Sequence, residues 1–272
     1  MESDFIPILS ANYAGKKWCQ FLVILEFSLT IFVMFYIDLP YYRDFLFTGN
    51  RWKLLLLPIS LYGLIWQFFG ITVVFSIILY KTLAWIFPPK EGIFDINGPE
   101  FHQYIIRFWI SYYFLFVARA MPLPWVDMYV FPIFGSKIGK NVVLYDSWVD
   151  PEFVEINDSC MISLNTQIIS HCVYQDKFIV KKVILERSSI AGAESIVAPG
   201  TIIEEGAVLG GRSRTKIDQR LQGFAIHVGN PVNKMIPIKL IAPESHSEKA
   251  SENQSGTKNE SKTEFQSKKV TK

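Results

Sequence analysis

Residues 185–211 read LERSSIAGAESIVAPGTIIEEGAVLGG. One aliphatic side chain returns at every sixth place: Leu185, Ala191, Val197, Ile203 and Leu209. Two residues before each return stands a small one, as at Ser189, Ser195, Thr201, Ala207 and again Ser213, and a Gly or Ala often follows, as at Gly192, Ala198 and Gly210. Upstream the same period places Ile138, Leu144, Asp150, Ile156, Ile162 and Ile168 in one phase, with Gly139 after the first and Cys160, Thr166 and Cys172 at the small places. A helix would repeat at 3.6 residues and a half-buried strand at 2. A fixed period of six with one inward aliphatic residue is the mark of a hexapeptide-repeat β-helix.

The physics is that of a solenoid. Each hexad makes a short strand and a corner, the aliphatic residue fills the bore, and the small residue lets the chain turn without crowding the next coil. Three hexads close a triangular coil of about 18 residues, and coils stack at about 4.8 Å. The runs 138–173 and 185–214 predict a β-helix of about four coils over residues 132–236. Between them residues 174–184, with Lys177, Lys181 and Lys182, leave the period as a projecting loop. So short a solenoid leaves lateral faces for partners to cover.

These repeats resemble the left-handed β-helix of the hexapeptide-repeat acyltransferase superfamily. The ending Gly229-Asn230-Pro231-Val232-Asn233-Lys234 resembles that superfamily's closing Gly-Asn-Pro-Ala-Lys pattern. Left-handed winding, an exception to the usual crossover hand, is implied by the resemblance alone. The order of two apolar runs, then Arg107-Phe108-Trp109, then Phe134 to Val142 also resembles the membrane-embedded C-terminal repeats of nonribosomal peptide synthetase-like proteins, poly-lysine synthetases among them. Here a single such unit stands without an adenylation domain.

Residues 18–37 are apolar apart from Gln20, Glu26 and short hydroxyl residues, and residues 54–80 carry no charge. About 20 such residues cross a bilayer, so both runs read as transmembrane helices within an anchor over 1–100. Glu26, costly in lipid, is expected to face another helix or the interface. Trp52, Trp85, Tyr36, Tyr41 and Tyr42 sit near the span ends, as interfacial aromatics do. Pro88-Pro89 and residues 92–99 read as a linker. Residues 101–131 read as an interfacial helix and linker, because the uncharged core between Arg107 and Arg119 extends only about 16 Å at 1.5 Å per residue. Residues 132–242 form the β-helix domain, and the polar tail 243–272 cannot bury a core and is expected to be disordered. The fold class is thus a mixed membrane protein: transmembrane α-helices, then an all-β left-handed parallel β-helix and a disordered tail. Two spans return the chain to its starting side. An acyl donor of the cytosol, implied by the resemblance, places the β-helix domain of this multi-pass protein in the cytoplasm.

A net charge of +2 without a basic cluster argues against nucleic acid as a partner. Three cysteines without motif spacing argue against a disulfide framework and fit a reducing compartment. No His pair such as H-x4-H supports a zinc site.

His171 stands where the hexad phase breaks, at the place where the resembled acyltransferases carry their catalytic His. The resemblance makes it the general base that takes a proton from an acceptor hydroxyl or amine. Asp150 occupies an inward aliphatic place, where a carboxylate is costly unless paired. Counting in eighteens stacks it on Ile168, so Asp150 or Glu152 is placed to orient His171 or hold the acceptor. The bland alternative is a kinked Asp150-Pro151 corner with the carboxylate in water. Asn165, stacked on Ser147, is a candidate oxyanion or acceptor donor. By the same resemblance the Gly229-Asn230-Pro231 end lies near the acyl-coenzyme A arm, while His227 reads as structural; Gly210 and Gly211 with Arg212 and Arg214 are candidates to admit and hold a nucleotide phosphate, which Arg suits, the alternative being plain surface. No bound cofactor or metal is implied, and acyl-coenzyme A, most simply acetyl-coenzyme A, enters as cosubstrate. The resemblance further implies a homotrimer. The expected function is acyl transfer to a hydroxyl or amine of a saccharide- or lipid-linked acceptor. The alternatives are a membrane-tethered scaffold without catalysis and an aminoacyl acceptor.

Overall fold

The computed structural model describes residues 17–47 and 57–238. Lys16, the residues Arg51, Trp52 and Lys53 between the first two helices, and the tail from Pro243 lie outside the described residues.

Helices α1 (Lys17–Phe47) and α2 (Leu57–Ile86) each hold a stretch long and apolar enough to cross a membrane, Gln20–Pro40 and Pro58–Ile86. Only 11% of the most apolar part of each is buried. Phe32, Phe35, Ile59 and Trp85 stand 66%, 62%, 69% and 83% exposed. A helix in the core of a soluble domain hides such a stripe. The two helices meet through Phe27 edge-on to Phe68, and Glu26 of α1, itself buried, accepts a hydrogen bond from Ser76 of α2.

Helix α3 (Pro99–Arg119) opens on proline, with Glu100 in its first turn and Arg119 in its last, so both ends suit the helix dipole. The sequence suggested a helix lying at an interface. Instead α3 is internal, packed against α1 and α2 and against the β region, and of its residues only Pro99, Phe116 and Arg119 are exposed. A helix apolar on all sides is stable only when both neighbours cover it. Helix α4 (Val126–Ile133) then leads into the β region with Phe131 and Phe134 fully buried.

The β region consists of three sheets visited in turn, in which the strands up to Ala225–Gly229 pair in parallel. Sheet I holds β2 (Lys137–Ile138), β5 (Val154–Ile156), β10 (Val183–Leu185), β13 (Ile202–Ile203) and β15 (Arg220–Leu221). Sheet II holds β3 (Val143–Leu144), β6 (Met161–Ile162), β11 (Ile190–Ala191), β14 (Val208–Leu209), β16 (Ala225–Gly229) and β17 (Val232–Pro237). Sheet III holds β4 (Trp148–Val149), β7 (Gln167–Ile168) and β12 (Ile196–Val197). From β10 onward partners stand eighteen positions apart, as in Ile184 with Ile202, Ile190 with Val208 and Ile202 with Arg220. The inward residues Leu185, Ala191, Val197, Ile203 and Leu209 are all fully buried in one core. Each fully buried aliphatic side chain contributes about 1.5–3 kcal/mol. With β15 the winding is five strands deep in sheet I, beyond the second hexad run. At the inward place after Val197 stands Thr215, whose hydroxyl oxygen accepts the Ala198 N–H at 2.7 Å and meets Thr201 at 2.9 Å, so its polar atom is satisfied.

Two sequence expectations need correction. Trp148 pairs with Gln167 and Val149 with Ile168, nineteen positions on, because the chain between β3 and β4 is one residue short of a hexad. Val149, not Asp150, therefore stands in the shared core, and Asp150 lies one place past it. The insertion is also not a free loop. β8 (His171–Tyr174) and β9 (Lys177–Val180) form an antiparallel hairpin, and β1 (Gly92–Asp95), from the stretch read as linker, pairs antiparallel with β9. The small sheet buries Phe178 and Val180 against Phe101 and Tyr104 of α3. An apolar cover of that kind is what fixes a hairpin too short to stand alone.

Candidate active site

The slipped rung and the hairpin meet at the corner between sheets III and I. His171, the first residue of β8, is 3% exposed there, and Asp150 is fully buried. His171 Nδ1 lies 2.5 Å from Asp150 Oδ2 and 2.7 Å from the Tyr104 hydroxyl. Asp150 Oδ2 also accepts the Ser170 N–H at 2.7 Å and the Ser170 hydroxyl at 3.1 Å, and its Oδ1 accepts the Trp148 indole N–H at 2.9 Å. Both oxygens of the carboxylate are thus satisfied by protein donors, which removes the cost of its burial. The alternative of a carboxylate left in water does not describe this corner. Asp150 as acceptor assigns the imidazole proton to Nδ1, and both partners fall on that nitrogen, so Nε2 keeps its lone pair for chemistry.

Aromatic rings wall the imidazole. Tyr104, Phe108 and Phe178 stand 5.0, 5.5 and 6.3 Å from it between ring centres. Burial first, and then the charges of Asp150 and Glu152, hold the Tyr104 phenol well above the usual tyrosine range, so its proton stays on at neutral pH.

A second buried cluster locks the helices to this corner. Arg107 of α3 donates to both oxygens of Glu152, from Nε at 2.6 Å and Nη2 at 3.1 Å, with both side chains 4% exposed. Arg107 Nη1 reaches the Phe87 carbonyl just beyond α2 at 3.1 Å. Tyr80 of α2 donates to Glu152 at 3.0 Å and also lies against the Phe134 carbonyl. Burial pulls the Arg107 guanidinium down, but the Glu152 hydrogen bond and charge outweigh it and leave the pKa raised. Ser170 links the two clusters, its hydroxyl also lying 2.8 Å from the Glu152 carbonyl.

Asn165 is not brought to His171. It is an exposed corner residue with φ 55° between sheets II and III, at the other end of β7, with its N–H on the Asp146 carbonyl. Ser147 lies buried with its hydroxyl unpartnered among the described residues. Gly210, Gly211 and Arg212 and the turn Gly229-Asn230-Pro231 do converge, through Gly210 N–H to the His227 carbonyl at 2.8 Å and Gly229 N–H to the Ser213 hydroxyl at 3.2 Å. A Cβ on Gly210 would stand 2.6 Å from Val228, so close coil packing accounts for that glycine. Arg212 pairs with Glu194 at 2.7 Å in solvent, and His227 is buried against the Gln222 carbonyl at 2.9 Å. Tyr104, Arg107 and Trp148 were missed from sequence. An arginine within an otherwise apolar helix was the one available sign, since such a charge needs a buried partner.

Beside this corner α3 and sheet III enclose a cleft of about 450 Å³ lined by Tyr112, Leu115, Phe116, Arg119, Trp148 and Gln167, among others. Among the described residues no group of His, Cys, Asp and Glu is arranged to hold a metal ion.

No family model and no curated protein matches the chain. Among solved structures it is similar to a maltose O-acetyltransferase from Clostridium difficile 630, at 23% identity over 38% of this chain and 59% of that one, with a TM-score of 0.35. It is similar also to a hexapeptide-repeat containing acetyltransferase from Vibrio cholerae, at 19% identity over 39% of this chain and 64% of that one, with a TM-score of 0.35. A third is the N-acyltransferase AntD from Bacillus cereus, in complex with dTDP and 3-hydroxybutyryl-CoA, at 26% identity over 46% of this chain and 69% of that one, with a TM-score of 0.29. The chain spans less than two thirds of the first two. Likenesses this distant carry no activity across to this protein.

Proposed function

We propose that the protein is a membrane-anchored acyltransferase that moves an acyl group, most simply acetyl, from coenzyme A to a hydroxyl or amine. The observation that carries this reading is the buried Asp150–His171 pair, with Nε2 of the imidazole left unengaged by both of its partners. His171 Nε2 takes the proton of the acceptor hydroxyl or amine as that atom attacks the thioester carbon. The new C–O or C–N bond forms, the C–S bond breaks, and coenzyme A leaves as its thiol with the proton returned from the imidazolium. Asp150 keeps the imidazole in the working tautomer and stabilises its charge. With Asn165 at the far corner, backbone N–H groups are the donors for the oxyanion.

Transfer is direct. Burial pushes the Cys172 thiol up to about 12 and also raises that of Cys160, so neither is a thiolate nucleophile at neutral pH. Tyr104 and Phe108 cover the imidazole. The winding is left-handed, its Gly210–Arg212 and Gly229–Pro231 end receives the acyl donor, and three copies associate. Helices α1 and α2 span the membrane, the β region stands on the cytoplasmic side, and the acceptor is a saccharide- or lipid-linked molecule made at the membrane.

A scaffold without catalysis is the second reading, and the observation on its side is the 3% exposure of His171. The two part in one experiment. The full chain in detergent is given acetyl-coenzyme A and a membrane lipid extract, thiol release is followed, and mass spectrometry identifies whatever gains acetyl mass. Release dependent on the extract is expected. A rate equal to that without protein, for acetyl and longer acyl donors alike, leaves the scaffold.

A further inference from the structure

The two groups that meet His171 Nδ1 come from different parts of the chain. Asp150 Oδ2, at 2.5 Å, directly follows β4 of the β region, and the Tyr104 hydroxyl, at 2.7 Å, stands on α3. Tyr104, Arg107 and Phe108 recur at helical spacing on α3. Arg107 holds Glu152 of this corner, and the Tyr104 and Phe108 rings lie 5.0 and 5.5 Å from the imidazole. The same helix packs on α1 and α2.

One nitrogen cannot serve both neighbours in the same way. A phenol donates to a bare Nδ1, but a carboxylate oxygen 2.5 Å from that lone pair would be repelled by it. Asp150 is such a carboxylate. The Trp148 indole N–H and the Ser170 N–H, which can only donate, are aimed at its two oxygens. Nδ1 therefore carries the proton, and the Tyr104 oxygen faces that proton as a second acceptor. Burial keeps the phenol's own proton in place, and the Ser170 hydroxyl oxygen stands beside it to accept. Ser170 in turn donates to the Glu152 carbonyl at 2.8 Å. Each proton in the chain then has an acceptor. The other charges nearby are paired: Glu152 with Arg107, and Lys181, just past β9, with Asp218.

We infer that Tyr104 is a positioning residue, its phenol oxygen sharing the Nδ1 proton of His171 with Asp150, so that the imidazole is held from the β region and from α3 at once. Two acceptors on different elements restrain the ring, and Nε2 with it, more than one does. The helical part of the chain thus completes the setting of the imidazole. The sharing stands on geometry alone, while its effect on turnover rests on the acyltransferase reading.

The two are read separately. The full chain in detergent, labelled with nitrogen-15 histidine, is studied by NMR at neutral pH, with His171→Ala identifying the signal among the four histidines. In wild type the Nδ1 proton should show a nuclear Overhauser contact to the ring protons of Tyr104. Tyr104→Phe keeps the ring and removes only the oxygen. The proton then passes wholly to Asp150, and its resonance should move to lower field. A missing contact in wild type overturns the inference without any variant having to fold. A resonance that stays in place, or moves to higher field, in Tyr104→Phe overturns it as well. Turnover is followed on the same samples by thiol release. In Tyr104→Phe kcat should fall by about threefold to tenfold, the worth of one neutral hydrogen bond, with KM unchanged for both substrates. The same substitution should add nothing in the His171→Ala background. A role in folding alone would lower the unfolding midpoint and leave kcat per folded molecule at the wild-type value, and that result rules out positioning. No acyl transfer by wild type, with the shared proton observed, sinks the acyltransferase reading and leaves the Tyr104 contact standing.

Discussion

The β winding has two parts that obey different rules. From Leu185 upward every rung repeats at eighteen residues, the inward places from Leu185 to Leu209 are aliphatic, and Thr215 and His227 take the next ones after Val197 and Leu209. Below Leu185 one rung slips to nineteen, an eleven-residue insertion becomes a hairpin, and a strand from before α3 joins it. The buried charges Asp150, Glu152 and Arg107 all belong to the irregular part or pack upon it. The regular coils keep their carboxylates in solvent, as with Glu194, and bury none of them. A one-residue slip moves a side chain off the inward place without sending it into water. That is where Asp150 went.

The largest expected effect breaks the irregular part chemically. His171→Ala should lower turnover by about 10²–10⁴-fold, the usual share of a general base, in the thiol-release assay with the fold intact by circular dichroism. Next is Arg107→Met, which leaves Glu152 buried without its cationic partner and with only Tyr80 to donate to its carboxylate. It should cost about 3–5 kcal/mol, seen as a lower unfolding midpoint in detergent, and should loosen α3 from the β region. In the regular part, Ile203→Ala opens a cavity at a fully buried place and should cost about 2–5 kcal/mol. Its turnover per folded molecule should match wild type, whereas that of Arg107→Met should fall. Smallest is Arg212→Ala. Its ion pair with Glu194 is in solvent, and such pairs contribute little, so the midpoint should not move. A midpoint as sensitive to Arg212 as to Arg107 would erase the distinction between the two parts.

The same division governs what the sequence reveals. The upper hexads are legible because one inward residue per six is a local rule, and Leu185 to Leu209 keep it. The lower ones keep it except at one place, and there counting in eighteens put Asp150 at the inward place when Val149 stands in the shared core. Asp150 was still found as a candidate, because a carboxylate among aliphatic places stands out in either register. Tyr104 could not be found this way, since it reaches His171 from a helix and nothing local couples the two. β1 is four residues long, pairs with a strand far along the chain, and carries no periodicity to read. The apolar runs of α1 and α2 were plain in composition. The internal position of α3 was not, because its length between Arg107 and Arg119 speaks only of crossing a bilayer and not of the protein that covers it.

The central claim is that Asp150 acts through His171. Turnover of His171→Ala, Asp150→Asn and the double variant, measured side by side with an identified acceptor, tests it most directly. Groups that work as a unit are not additive. The double variant should be no slower than His171→Ala alone. Losses that multiply, or wild-type turnover in His171→Ala, would contradict the account.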